Sequence, residues 1–571
     1  MKRFLPFLNW LPGYSRQQLK GDLPAGLTVG IMLIPQGMAY ALIAGLPPVY
    51  GLYAALMPQV VYAFLGTSRQ LAVGPVAMDS LLVAAGLSAI AVVGSENYIA
   101  LALVLALLMG AIQLLLGLLR MGFLVNFLSK PVISGFTSAA ALIIGLNQLK
   151  YLFGIEVPRS NQIHELMLSA WQALPGTNGW ALAIGLGGIL VMVLLKRFAK
   201  RIPAALVVVV AGILATLGLQ LTAKVPLVGE IPSGFPRLSL PDIANAPLLD
   251  LLPMAATLAL IAFMEAISVA KAIEARHQDY EVDANQELRA LGMANIIGAL
   301  FQAYPTTGGF SRTAVNDQSG ARTGMAALIS AGVVALVLLF FTPLFHDLPK
   351  AILASIIMVA VFGLIDFQYP LRLWHHRKDE FVLLLITFSV TAFVGITVGI
   401  GVGVVLALLL MVYRSTQPHI AVLGDISGFY KNVLRFPEAK TRPDVLAIRF
   451  DGQLYYANKD YFRSRLNYLV AKKGEALKLV VLNAEAINYI DASGVDVLHK
   501  FLGELAAKGI AFRLAGAIGP VRDILMRSEL ADLIGPENYF VRTAQAVNSF
   551  NYPEERAPRL QKIATQANTV K

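Results

Sequence analysis

No cysteine occurs among the 571 residues. Disulfides, thiolate nucleophiles and cysteine-ligated zinc are therefore excluded. Charge is also scarce: Asp, Glu, Lys and Arg make up 14% of the chain, against about 25% in a soluble globular protein. The few histidines show no HExxH spacing, so no metal site is expected. There is no Walker A motif, no defensible Ser/His/Asp order and no carboxylate cluster at metal spacing, which argues against an enzyme and against any cofactor. Residues 1–20 are basic and polar with scattered aromatics, unlike the charged start and short apolar core of a secretory signal.

Apolar residues, by contrast, make up 57% of the chain, and the mean hydropathy is +0.65. Together these indicate an α-helical polytopic membrane protein. The net charge of +11 then reads as basic cytoplasmic loops rather than as a nucleic-acid surface. Hydrophobic segments are expected near 23–45, 48–66, 75–92, 97–119, 131–149, 178–196, 203–221, 251–272, 287–302, 310–320, 323–342, 350–366, 380–394 and 396–413. Some of these are too short to cross a ~30 Å hydrocarbon core as one helix. Residues 1–22 form an N-terminal arm carrying Phe4, Phe7 and Trp10.

Charge orients the spans. With the N-terminus inside, the inner connections carry Arg69, Arg120, Lys130, KRFAKR (196–201), Lys271, Arg276, Arg289, Arg322, Arg372, Arg377 and Lys378. The outer connections carry only Lys150, Arg159, Lys224, Arg237 and Lys350. The asymmetry places both termini in the cytoplasm of a cell (inner) membrane protein.

Amid the apolar runs, YPTTGGFSRTAVN (304–316) interrupts the pattern with proline, threonines and a glycine pair before Ser311 and Arg312. Irregular backbone at membrane depth is tolerated only where protein buries it or where it lines a cavity. A helix starting there presents bare N–H groups to an anion, and Arg312 adds positive charge. LAVGPVAMDS (71–80) opens a short segment in the other half of the chain in the same way. Corresponding interrupted segments in two halves are the mark of an inverted-repeat transporter whose half-helix N-termini converge near the midplane. Two independent glycine kinks are the plainer alternative.

Beyond about residue 440 the pattern changes. VLAIRF (445–450), LKLVVLN (477–483) and IAFRLAG (510–516) read as buried strands, alternating with amphipathic helices over 461–471 and 495–507. This spacing predicts a small α/β domain over 441–552, joined by a linker over 416–440. The polar residues 553–571 are expected to be a disordered tail.

The chain resembles the sulfate permease (SulP) family, relatives of the solute-carrier anion exchangers that include pendrin and prestin. The resemblance rests on IPQGMAYA (34–41), GTSRQLAVGP (66–75), FMEAISVAKAIEARHQ (263–278) and TGGFSRTAVN (307–316). NYIDASGVDVL (488–498) resembles a STAS domain, the fold shared with anti-sigma-factor antagonists. The resemblance implies about fourteen segments in seven-plus-seven inverted repeats, with core and gate subdomains, elevator-like movement of the core and a homodimer.

It also implies an anion site formed by Gln36 and Tyr40, by Val76 and Ala77, and by Phe310, Ser311 and Arg312. The residues agree with that assignment. Gln36 and Tyr40 are four apart and share a helix face, and both can donate to a desolvated oxyanion. Gln36 would equally serve a helix–helix hydrogen bond. Glu265 is a carboxyl deep in an apolar span, costly if unpaired and functional by default. Two roles stay open for it: carrying a proton alongside the anion, or forming an architectural ion pair with Arg312.

Among coupled relatives, sodium sites tend to use an Asp with hydroxyl neighbours; here the position is Glu265, followed by Ser268 and Val269, which favours protons. Sulfate is the expected anion, with bicarbonate, chloride, oxalate and dicarboxylates moved by relatives. A channel-like protein is the nearest alternative, and a scaffold for cytoplasmic partners would leave Glu265 and Arg312 unexplained. In the STAS loop, Ser493 is either a regulatory phosphorylation site or the N-cap of the following helix.

Overall fold

The computed structural model describes residues 5–123, 129–155, 160, 162–199, 203–363 and 365–551. Phe4, Arg159, Lys200, Arg201 and the tail expected over 553–571 lie outside the described residues. The chain divides into two compact units, Met1–Ala407 and Leu408–Lys571.

The first unit is helical. In its first half come α1 (Arg16–Ala44), α2 (Pro48–Ala54), α3 (Met57–Leu65), the strand β1 (Val73–Gly74), α4 (Ala77–Leu87), α5 (Glu96–Leu118), α6 (Lys130–Phe153), α7 (Ile163–Ala173), α8 (Gly179–Phe198) and α9 (Ala204–Gly218). The second half holds α10 (Leu248–His277), α11 (Ala284–Leu300), β2 (Thr307–Gly308), α12 (Phe310–Gln318), α13 (Met325–Leu336), α14 (Lys350–Phe362), α15 (Gln368–His376), α16 (Lys378–Phe393) and the start of α17 (Ile396–Thr416), a helix that runs past Ala407. Each expected hydrophobic segment meets helix, the second one split between α2 and α3. Among the described residues, seven helical stretches are long and apolar enough to cross a membrane, and α4, α8 over Gly179–Leu195, α9 and α14 are shorter apolar helices. The amphipathic helices α7 and α15 were not expected from hydropathy.

Local chemistry starts and stops α1. The Ser15 side chain accepts from the Gln18 N–H while the Gln18 side chain accepts from the Ser15 N–H, a reciprocal cap. Gly45, at φ 83°, ends the helix in the left-handed conformation that suits glycine. Between these ends α1 is buried against α2, α4, α12, α13 and α14. Elsewhere α11 lies along α5 and α3, and α6 along α16, α14 and α8. Exposed Leu, Val and Phe side chains crowd α8, α9 and α16. Apolar surface of that kind is what contact with lipid requires.

The second unit is α/β, with β3 (His419–Ile426), β4 (Phe429–Asn432), β5 (Val445–Asp451), α18 (Lys459–Lys473), β6 (Leu479–Asn483), α19 (Ala492–Ala507), β7 (Ala511–Ala515), α20 (Gly519–Arg527), α21 (Leu530–Ile534), β8 (Tyr539–Phe540) and α22 (Thr543–Asn551). The sheet order is β4-β3-β5-β6-β7-β8, parallel from β5 to β8 and antiparallel at β3 and β4. Burial of both sheet faces explains the unbroken apolar run of β6. The stretch expected as a linker over 416–440 therefore contributes two strands to this sheet. Its alternation of buried and half-buried positions is too weak to read without the partner strand β5. Between α18 and α19, Asn467 and Arg463 donate to Glu504. These bonds hold the Glu504 carboxyl below its ordinary value, so the tie is present at neutral pH and is lost only as acidification passes below the ordinary carboxylate range.

Close backbone approach decides one contact in the membrane unit. A Cβ at Gly51 would lie 1.9 Å from the Gly37 carbonyl oxygen, because α2 crosses α1 there. Gly51→Ala is expected to destabilise the protein by about 1–3 kcal/mol through overpacking. Gly187→Ala, where nothing lies within 4 Å, should not destabilise it. Thermal unfolding followed by gel filtration of detergent-solubilised protein checks the contrast; equal midpoints for the two variants would refute it.

Candidate functional site

Two short strands, each followed by a short helix, build the site. β1 and β2 pair antiparallel, Val73 opposite Gly308 and Gly74 opposite Thr307. The pairing continues past the strands, because the Gly309 N–H donates to the Ala72 carbonyl at 3.1 Å. The Ala72 N–H donates to the Thr313 hydroxyl at 3.1 Å, and the Asn316 side chain donates to the Gln70 carbonyl at 2.8 Å. Behind β2, Asn295 of α11 accepts the Thr306 N–H at 2.8 Å and donates to its carbonyl at 3.0 Å. The Thr307 hydroxyl donates to the Ala262 carbonyl of α10 at 2.6 Å. An unpaired backbone group at this depth would cost several kcal/mol; side chains from distant helices remove that cost.

Because the strands run antiparallel, the chain enters α4 and α12 from opposite directions, and each helix begins within three residues of its strand. Val76 caps α4 and Ala77 is its first residue, both buried. Phe310 and Ser311 are the first two residues of α12, and both are exposed, Phe310 by 47%. An opening therefore reaches the start of α12. Arg312, third in that helix, is only 2% exposed. Its Nη1 donates to the Pro75 carbonyl at 2.7 Å, across the strand pair, while Nε and Nη2 have no hydrogen-bond partner. Glycine makes room for the guanidinium: a Cβ on Gly309 would lie 2.9 Å from Nη2.

From α1, packed against α4 and α12, come the buried Gln36 and Tyr40. The Gln36 Oε1 meets no donor, so its oxygen makes no helix–helix hydrogen bond here. Tyr40 lies within electrostatic range of Arg312 and Glu265. Glu265 is half-buried on α10, also within electrostatic range of Arg312. Among the described residues no hydrogen bond joins the two, and the guanidinium is bonded to the Pro75 carbonyl alone. The structure thus gathers Gln36, Tyr40, Val76, Ala77, Arg312 and Glu265 around the strand pair, with Phe310 and Ser311 at the open side.

One residue escaped the sequence reading. Asp79, third in α4, is 0% exposed, and neither carboxylate oxygen has a partner. A signal was present: Asp79 is an acid inside the apolar LAVGPVAMDS segment, and the argument made for Glu265 applies equally to it. Beside it, the Ser80 and Tyr304 hydroxyls lie 3.0 Å apart. Buried Glu287 has a different character, accepting from the Tyr62 hydroxyl, the Thr67 N–H and hydroxyl and the Ser68 N–H. Fully satisfied, it fastens GTSRQ (66–70) to α11.

The sequence pattern of the sulfate permease family matches residues 19–387. The chain belongs to the sulfate permease family. A STAS domain matches residues 436–547. Probable sulfate transporter 4.2 of Arabidopsis thaliana is 41% identical over 95% of this chain and 83% of its own length. A probable sulfate transporter of Mycobacterium tuberculosis is 35% identical over 95% of this chain and 98% of its own. Among solved structures, the murine solute carrier 26 family member A9 anion transporter in the inward-facing state superposes with a TM-score of 0.87 at 26% identity, covering 95% of this chain and 93% of that one. Membership makes the protein an anion transporter rather than an enzyme.

In the STAS domain the N-cap of α19 is Asp491, whose side chain accepts the Gly494 N–H at 2.8 Å. The capping role considered for Ser493 is thereby corrected. Ser493 sits inside the first turn, half-buried, because a carboxylate two residues earlier reaches the free N–H first.

Arg312 is a stability cost on this geometry, being a buried cation with two unpartnered nitrogens. A buried charge without partners for its nitrogens opposes folding, and an apolar side chain of similar volume does not incur that cost. Arg312→Met is therefore expected to leave the unfolding midpoint unchanged or raise it. A drop of several degrees in a thermal-shift measurement would instead make Arg312 an architectural staple.

Proposed function

We propose that the protein is a proton-coupled sulfate symporter that brings the anion into the cell by elevator-like alternating access. Its core would move as a homodimer in the cell (inner) membrane, with both termini cytoplasmic. The observation that carries this reading is the buried Arg312, whose unpartnered nitrogens sit where two helix N-termini converge beside an opening. Gln36, Tyr40, Val76, Ala77, Phe310 and Ser311 would line the anion, and the helix starts would supply N–H groups to its oxygens. Sulfate is favoured because the relatives above are named as sulfate transporters.

Glu265 is the proton-coupling residue in this reading. It shares the electrostatic field of Arg312 without being bonded to it, so it is free to gain and lose a proton as the anion enters and leaves. Each proton offsets one charge of a divalent anion, which otherwise enters a negative-inside cell at about 2.3 kcal/mol per charge per 100 mV. In proteoliposomes, labelled sulfate uptake should rise with an inward proton gradient. Glu265→Gln should lose that response while still exchanging sulfate for sulfate. A mutant that keeps the normal pH gradient response, or a wild type driven by sodium instead, would overturn the assignment.

Ser493 is proposed as a regulatory phosphorylation site facing a cytoplasmic partner. The phosphoryl group would meet the N-terminal N–H groups of α19 and the negative Asp491 beside them. Intact-mass analysis of protein from its native host is expected to show a phosphorylated fraction that Ser493→Ala removes. Its absence under every growth condition would retire the switch.

A further inference from the structure

The short helices α4 and α12 carry opposite charges at the same place. Counting from each helix start, Ala77-Met78-Asp79 corresponds to Phe310-Ser311-Arg312. Arg312 has one bond and an opening nearby; Asp79 has neither. It is fully buried in the first unit, with both carboxylate oxygens unpartnered. The usual account of an acid in the first turn, a favourable meeting with the helix dipole, is worth under about 1 kcal/mol at a surface. A carboxylate anion buried without donors costs several kcal/mol, whereas a neutral carboxyl does not incur the charge penalty.

Among the described residues no cation pairs with it. The helices packed on α4 are α1, α5, α6 and α10. From α10 comes Glu265, the charge that acts on Asp79. From the segment before β2 comes Tyr304, on which Asp79 acts in turn, and which shares a hydrogen bond with Ser80. On α1, Tyr40 belongs to the Arg312 and Glu265 cluster, and Asp22 is occupied by the N–H groups of Arg322 and Thr323. The charges of α5 and α6 are terminal: Glu96 and Lys130 open these helices, and Lys150 lies in the last turn of α6. No cluster of three or more His, Cys, Asp or Glu that could hold a metal occurs among the described residues.

We propose that Asp79 is a second proton-carrying carboxyl, loaded and emptied through Glu265, so that two protons accompany each divalent anion. Asp79 has no accessible surface of its own, and Glu265 is half-buried. A proton taken from water on the loading side therefore passes by way of Glu265, and it returns to water on the release side by the same route. Ionised together, Glu265 and Asp79 repel each other, and only Glu265 has the field of Arg312 to offset its charge. An arriving divalent anion adds to that repulsion and draws a proton onto each. The cycle then carries no net charge, and uptake does not work against the membrane potential. This rests on the proton-coupled reading above, and goes beyond it in the stoichiometry and in the residue that sets it.

The steady-state sulfate accumulation ratio in proteoliposomes, at clamped potential and varied pH gradient, counts the protons. Two coupled protons give about a hundredfold change in ratio per pH unit, and one gives about tenfold. Wild type is expected to follow the first slope, Asp79→Asn the second, and Asp79→Glu to restore the first. Identical slopes for wild type and Asp79→Asn overturn the role of Asp79 while leaving Glu265 in place. A wild-type ratio indifferent to pH overturns the proton-coupled reading itself. If Asp79→Asn does not transport, proton uptake on sulfate binding in weakly buffered detergent solution gives the same count: two per sulfate in wild type and one in the variant, with equal counts refuting the proposal.

Discussion

The membrane unit depends on one short antiparallel pairing, Val73-Gly74 against Thr307-Gly308. Four residues of β-structure inside a helical membrane protein leave backbone groups that lipid cannot satisfy. Asn295, Thr313 and Asn316 satisfy them from two helices, while the Thr307 hydroxyl ties the strand to α10. With those bonds made, α4 and α12 must start at the same depth and from opposite directions. Arg312 can then reach from one helix start to the carbonyl of Pro75 beside the other. Close approach of the two backbones requires small residues, which is why glycine flanks the guanidinium.

Polar groups at this depth divide into two kinds. Asp22, Glu287 and Asn295 are buried and richly bonded, and such groups join elements that would otherwise slide. Gln36, Asp79 and Arg312 are buried with atoms left unpartnered. Unsatisfied polar atoms oppose folding, and these three are the groups on which the proposed ligand site is built. Phe310 and Ser311 are exposed at the start of α12.

The second unit follows ordinary soluble rules. Its parallel strands are buried on both faces, and Phe450, Phe462 and Phe501 meet edge to face between sheet and helices. Asp491 caps α19, which leaves the Ser493 side chain available for chemistry at a helix N-terminus.

Hydropathy alone located the apolar segments, because a span must be apolar over its length wherever its partners lie. Helical spacing put Gln36 beside Tyr40, and the burial cost of charge singled out Glu265 and Arg312. The same rule covered Asp79, whose place in an apolar run was visible but whose complete lack of partners was not. Periodicity did not reveal α7, α15 or the strands His419–Ile426 and Phe429–Asn432. Short amphipathic helices give a weak hydropathy signal, and an edge hairpin is defined by its pairing with β5. Only the tertiary structure decided that Glu265 and Arg312 share a field without a bond, that Gln36 keeps a free oxygen, and that Asp491 rather than Ser493 caps its helix. Those outcomes turn on ångström-scale contacts between residues far apart in the chain, whereas local composition reports only which environments each segment can tolerate.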